Sequence, residues 1–198
     1  MSQNPETITA EEINLIEQKI MDYTNKPKAE PRAYRDYLMF MVMVEAGLRV
    51  GEVAGLQIGD LIFEKNPALS LRVRMAIAKN KRERIIPVSE RFKIAIQWWY
   101  RITYTTFVPN DSRPVFYSSR TGRNITTRQI ERIIGTYTKL AIGREINPHV
   151  LRHTFATRLM RVTSMRVVQQ LLGHKSIKTT QIYTHPNGDD RQEAIGKI

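Results

Sequence analysis

Between Ile146 and Met160 the chain reads INPHVLRHTFATRLM, which puts His149, Arg152 and His153 at the start of a helix. Three such polar side chains are not there for packing alone. Three chemistries are open to them: a metal site, an anion site, or an ordinary solvated helix face. A helix start favours an anion, because its unpaired N–H groups and its dipole attract negative charge. His149 and His153 stand four residues apart and face one way on a helix, as two zinc ligands would. The hydrolytic form of that motif needs glutamate directly after the first histidine, and Val150 stands there. A relaxase-type site needs two histidines around one apolar residue, and none of the histidines is so placed. The expectation is therefore no metal. Other residues suit a phosphate. Arg49 follows Gly47 at the start of a short helix, Lys79 lies on a hairpin tip, and His174 follows the helix-ending Gly173, with Tyr183 nine residues further on. Singly, each reads as a surface charge, a turn residue, a cap or a core tyrosine. The weight lies in the set.

The elements that must position this set are legible as patterns. Thr9 with Glu12, and Ile8 with Ile13, cap and staple a helix over residues 10–23. TNKPKAEP is a loop. RAYRDYLMFMVMVEAG is a strongly apolar second helix closed by Gly47, and LRVGEVAGL starts a short third one. LSLRVRMAIA alternates, with Leu69, Leu71, Val73, Met75 and Ile77 on one face and Ser70, Arg72 and Arg74 on the other, which predicts a half-buried strand. RIIPV returns, so Lys79 to Glu83 form the hairpin tip. Ser89 caps the next helix, and PVFYS reads as a further strand. Thr126 with Gln129, and Ile125 with Ile130, cap and staple another helix. TSMRVVQQLLGH is a helix ending at Gly173, and SIKTTQIYTH a short one stopped by Pro186. The fold class is α+β, mainly α, with one small antiparallel sheet.

Composition limits the partners. The chain has 198 residues, enough for one good-sized core, and no cysteine, which excludes disulfides and thiolate metal sites. Its longest apolar run, Leu38 to Val44, is far too short to span a bilayer. The polar start MSQNPETIT lacks the features of a signal peptide. A cytoplasmic, nucleoid-associated protein with no membrane contact is expected. Lys and Arg number 31 against 19 Asp and Glu, a net charge of +12. Nucleic acid is the commonest reason for such an excess.

GLRVGEVAGL, KNKRERIIP, PHVLRHTFAT and LLGHKSIKTTQIYTH resemble, in order and spacing, the motifs of the tyrosine recombinase (phage integrase) catalytic domain. The resemblance runs from about Thr9 to His185. It implies a helical catalytic-domain fold spanning residues 1–198, with residues 1–8 and 186–198 flexible or contacting a partner subunit. Most members of the family carry a separate DNA-clamping domain before it, whereas here at most one helix, over residues 10–23, precedes the Arg49 region. The expectation is therefore no full N-terminal core-binding domain, in either an isolated catalytic domain or a short single-domain form. It implies that Arg49 is the first catalytic arginine and Glu52 its supporting carboxylate. Lys79 becomes the hairpin lysine, His149 and Arg152 the histidine–x–x–arginine pair, His174 the later histidine and Tyr183 the nucleophile. His153 falls outside the active set and reads as a packing histidine. Lys81, Arg82, Arg120, Arg123 and Arg128 are the accompanying candidates for DNA contact. The family usually has glycines where this chain carries Ala78 and Asn80.

The residue types suit that chemistry. Attack on a phosphodiester builds negative charge on the phosphorus oxygens, and two arginines can clamp them at any working pH. His174 can donate a further hydrogen bond. A tyrosine hydroxyl, with a pKa of about 10, needs a base such as His149. The leaving 5′ oxygen needs a proton, which Lys79 can supply. The resemblance implies a site-specific recombinase acting on double-stranded DNA through a 3′-phosphotyrosine, without cofactor, as a tetramer on DNA, with accessory DNA-bending proteins as further partners. The alternatives are a type IB topoisomerase-like strand-passage enzyme, or a DNA-binding regulator of the same fold without strand exchange.

Overall fold

The computed structural model describes residues 6–23, 31–105, 108–118 and 121–174. Tyr183, Arg120, the loop at 24–30 and the expected last helix lie outside the described residues, as do residues 1–5 and 186–198.

Among the described residues there are seven helices: α1 (Ala10–Met21), α2 (Pro31–Ala46), α3 (Val50–Ala54), α4 (Glu90–Thr103), α5 (Thr127–Ile142), α6 (Pro148–Met160) and α7 (Met165–Leu172). The centre is α2, in which every residue from Tyr37 to Val44 is buried. A helix apolar all round belongs inside a protein, and α1, α4 and α6 pack around this one. The capping signals act as the sequence predicts. Thr9 Oγ1 accepts from Glu12 N–H (3.1 Å), and Glu12 Oε2 accepts from Thr9 N–H (2.9 Å). Thr126 and Gln129 form the same reciprocal box at α5, and Ser89 caps α4. The first helix ends at Met21 rather than at residue 23, with Asp22 as its cap. Among the described residues no helix is long and apolar enough to cross a membrane.

The strands differ from expectation in three respects. β3 (Ser70–Val73) pairs antiparallel with β4 (Arg84–Pro87), Leu71 opposite Ile86, but it stops at Val73 instead of running on to Ile77. Arg74 ends it. Its Nε donates to both oxygens of Asp60 (2.8 and 2.9 Å) and its Nη2 to Gly55 O (2.7 Å), which turns the chain out of the sheet. The N–H groups of Ile77 and Ala78 then donate to Arg74 O in a turn. Leu71 and Val73 are buried as expected, whereas Leu69 is 81% and Met75 59% exposed. Second, PVFYS makes two isolated bridges, Gln57 to Pro114 and Tyr117 to Asn124, instead of a strand. Val115 and Phe116 between them are buried in the core.

Third, a second two-stranded hairpin is present, so among the described residues there are two small antiparallel sheets where one was expected. β1 (Ile62–Phe63) pairs with β2 (Asn66–Pro67) across Glu64 and Lys65, whose φ angles are 47° and 67°. Two-residue hairpin turns need such left-handed residues and favour Asn-Gly or Asp-Gly. Glu-Lys carries no such signal.

Candidate active site

Glu52 lies on α3 with 1% of its surface exposed. Three arginines from three elements converge on it. Arg49, the residue before α3, donates its backbone N–H to Oε2 (2.9 Å) and its Nη1 to Oε1 (3.2 Å). Arg84, the first residue of β4, forks onto the same carboxylate, Nη1 to Oε1 at 2.9 Å and Nη2 to Oε2 at 2.7 Å. Arg152 on α6 brings its Nη1 to 3.9 Å from Oε2. Burial alone would raise the Glu52 carboxyl. The Arg84 hydrogen bonds and charge, the Arg49 N–H and the Arg152 charge outweigh it and hold the group below its ordinary value. One carboxylate thus faces three guanidinium groups, which leaves an excess of positive charge. Such a cluster suits an anion.

Arg152 is buried and bonds to backbone as well. Its Nη1 donates to Gly47 O and its Nη2 to Leu172 O (2.7 Å). Gly47 closes α2 with φ +60°, and Leu172 is the last residue of α7. The last carbonyls of a helix lack intrahelical partners. At the end of α7 and its cap, three successive carbonyls receive side chains: Leu171 O from Arg84 Nε (2.9 Å), Leu172 O from Arg152, and O of the cap Gly173 from Asn80 Nδ2 (3.0 Å).

His174 follows directly. Burial first, then the charges of Arg152, Arg49, Arg84 and His153, push its imidazole down to about 4. It is neutral near pH 7 and keeps one N–H to donate. The backbone fixes it, with His174 N–H donating to Gln169 O (3.1 Å) and Gln169 Nε2 donating to His174 O (3.2 Å).

His149 is exposed in the first turn of α6, three residues before Arg152. Asn147 caps that helix, its Oδ1 accepting from His149 N–H (2.8 Å) and Val150 N–H (3.3 Å). His153 is half-buried, and burial, then the charges of His149 and Arg152, lower its pKa. Lys79 is exposed in the turn that links β3 to β4. Lys81, Arg82, Arg123 and Arg128 are exposed as well, Arg128 in the first turn of α5, where it lines a groove with Arg132 and Asn147.

The structure therefore gathers Arg49, Glu52, Arg152 and His174 around one carboxylate and one helix end. It sets His149 on the same helix as Arg152, and ties the Lys79 turn to α7 through Asn80. Arg84 is the member that sequence reasoning missed. A signal for it exists: Arg84 shares its parity with the buried Ile86 in a strand that buries alternate residues. An arginine on the buried face of a strand requires a partner.

Over residues 7–189 the chain matches the model of the phage integrase family. It is 38% identical over 157 residues to the tyrosine recombinase XerC of Thermodesulfovibrio yellowstonii, an alignment covering 76% of this chain and 50% of that protein. With XerC of Mannheimia succiniciproducens the identity is 34% over 185 residues, covering 92% and 57%. The chain spans about half the length of these curated relatives. The crystal structure of XerA recombinase superposes with a TM-score of 0.76 at 30% identity, covering 99% of this chain and 64% of that one. The fold is also that of XerH site-specific recombinase bound to its palindromic difH substrate, with a TM-score of 0.73 at 24% identity over 98% of this chain and 53% of that one. With a family match across nearly its whole length and the motif residues Arg49, Glu52, Arg152 and His174 folded into one cluster, this chain belongs to the phage integrase family.

Proposed function

We propose that this chain is the catalytic domain of a tyrosine-type site-specific recombinase, which cleaves and rejoins duplex DNA through a 3′-phosphotyrosine. The observation that carries the reading is the convergence of Arg49, Arg84 and Arg152 on the single buried carboxylate of Glu52, beside a neutral His174. Arg49 and Arg152 clamp the non-bridging oxygens of the scissile phosphate, and His174 donates a third hydrogen bond. The Tyr183 oxygen attacks phosphorus and His149 takes its proton. The bond from phosphorus to the 5′ oxygen breaks, and Lys79 protonates the leaving oxygen. The phosphotyrosine keeps the energy of the broken ester, so a 5′ hydroxyl from a partner strand can reverse the step without ATP. Strand exchange between two sites calls for four such domains on DNA, with accessory DNA-bending proteins where the sites demand it. Lys81, Arg82, Arg120, Arg123 and Arg128 are the proposed backbone contacts.

A duplex nicked near the cleavage point tests this, because the short fragment diffuses away and traps the adduct. The parent chain is expected to form a denaturant-resistant adduct, and Tyr183→Phe to bind the same duplex without forming one. An adduct in the phenylalanine variant would assign the nucleophile elsewhere. Binding without any adduct in the parent would favour the DNA-binding regulator. Relaxation of a supercoiled plasmid without recombinant product would favour the topoisomerase.

A further inference from the structure

The turn that carries Lys79 is held more firmly than its exposed position suggests. Lys81 N–H donates to Ala78 O (3.0 Å) and closes the turn, with Lys81 at φ +55°. Ala78 is buried. Asn80 uses both ends of its amide. Its Oδ1 accepts from Arg82 N–H (3.2 Å), and its Nδ2 donates to Gly173 O (3.0 Å), across 93 residues of sequence. Gly173 is the left-handed cap of α7, and His174 is the next residue. At the base of the same hairpin Arg84 holds Leu171 O. The hairpin therefore grips the end of α7 at two points, one on either side of the carbonyl that Arg152 takes. Helix-end carbonyls carry partial negative charge and lack intrahelical partners, so side-chain donors decide where they sit. The family motif usually has glycine at the position of Asn80, and glycine has no side chain with which to make this tie.

We propose that Asn80 is a positioning residue for Lys79, its amide tying the lysine's turn to Gly173 so that the proton donor and the His174 end of α7 hold one geometry. This rests on the assignment of Lys79 as the general acid, and of the reaction as cleavage by Tyr183. Asn80 touches no reacting atom. It restricts where the backbone of Lys79 can be, and so how often the ammonium group reaches the leaving oxygen.

The test uses the whole chain at saturating duplex, in single turnover, on two substrates: an ordinary phosphodiester, and one whose 5′ bridging oxygen is replaced by sulfur. A thiolate leaves without a proton, so sulfur removes the need for Lys79. Asn80→Asp keeps the acceptor for Arg82 N–H and loses the donor to Gly173, whereas Asn80→Ala loses both. Each is expected to cleave the oxygen substrate about 3- to 10-fold more slowly, the worth of one neutral hydrogen bond. On sulfur both should come within about twofold of the parent, as Lys79→Ala should. Equal slowing on both substrates would mean a general structural role and overturn the proposal. Asn80→Asp cleaving oxygen as fast as the parent, or faster, would overturn it too. If sulfur fails to rescue Lys79→Ala itself, the assignment of the acid fails, and the proposal falls with it. That result differs from rescue of Lys79→Ala without rescue of the Asn80 variants, which would overturn the tie alone.

Discussion

Arg84 donates two hydrogen bonds to Glu52, and both side chains are buried, 7% and 1% exposed. Removing Glu52 takes the carboxylate from both Arg84 and the buried Arg152, whereas removing Arg84 leaves Glu52 with Arg49 and Arg152. Leaving a buried charge without its partner costs about 3–5 kcal/mol. Glu52→Gln should lose stability on that scale in denaturant unfolding, and Arg84→Met should lose less. The two changes together should cost less than the sum, because Arg84 is then no longer buried without its carboxylate, although Arg152 still is. Simple additivity would show that the two do not depend on each other. His174 gives the residue scale its pH dependence. Its folded pKa of about 4 lies below its ordinary 6.5. As pH falls, the unfolded chain takes up this proton first. The stability that His174 contributes is therefore fully present above about pH 6.5, and is lost as pH falls towards 4. Unfolding curves across that window should show stability falling with acidity, and His174→Gln should flatten that part of the profile. An unchanged slope in the variant would place the titration on another group.

At the scale of elements, the site depends on where α2 and α7 end. Gly47 closes α2 at φ +60°, and its carbonyl receives Arg152. A Cβ there would lie 2.2 Å from Phe155 Cδ1. Gly47→Ala combines left-handed strain of about 1–3 kcal/mol with an overpacking cost of similar size. It should lower the thermal midpoint by several degrees and, under the proposed mechanism, weaken DNA cleavage through the displaced Arg152. Gly51→Ala in α3 is the matched control, because nothing lies within 4 Å of its Cβ and its φ is not positive. That variant should be as stable as the parent, or slightly more so. Equal losses in both would mean that the position of Gly47 is not special. These elements also show what a sequence can reveal. Caps are local, so the boxes at Thr9 and Thr126, the Ser89 cap and the glycine that ends α7 were all legible. The end of β3 was not, because Arg74 leaves the sheet for Asp60, 14 residues earlier in the chain. Arg84 joins Glu52 at a separation of 32 residues and Leu171 at 87, and no periodicity reports such partners. Arg49, Glu52, Arg152 and His174 could be picked out together from their types and order, and the structure brings these four together. What holds them was not legible, since it depends on where distant carbonyls come to rest.

At the scale of the whole molecule the governing quantity is the net charge of +12. Its cations divide into two groups. Arg72 with Glu83, Lys139 with Glu145, and Arg144 with Glu6 and Glu12 already face carboxylates. Lys81, Arg82, Arg123 and Arg128 are exposed and, among the described residues, have no carboxylate partner. A cation without a partner gains most from a phosphate, because it breaks no existing pair and displaces a counterion from the DNA. Each phosphate so contacted contributes about −0.9 to the slope of log K against log salt on duplex DNA. Under the proposed mechanism, Tyr183→Phe binds without cleaving, so binding can be measured on that chain. Its affinity for a duplex should fall steeply between low and moderate salt. Arg128→Gln and Lys81→Gln should each make the slope shallower by about 1 if each neutralises one phosphate. The corresponding change at Arg72, already paired with Glu83, should alter it much less. The loss at Arg128 and Lys81 should be similar for any duplex sequence, since phosphates carry no base identity. If affinity is flat across salt, or if Arg72→Gln shifts the slope as much as Arg128→Gln does, then net charge is not what holds this chain to DNA and the unpaired cations are not its contacts.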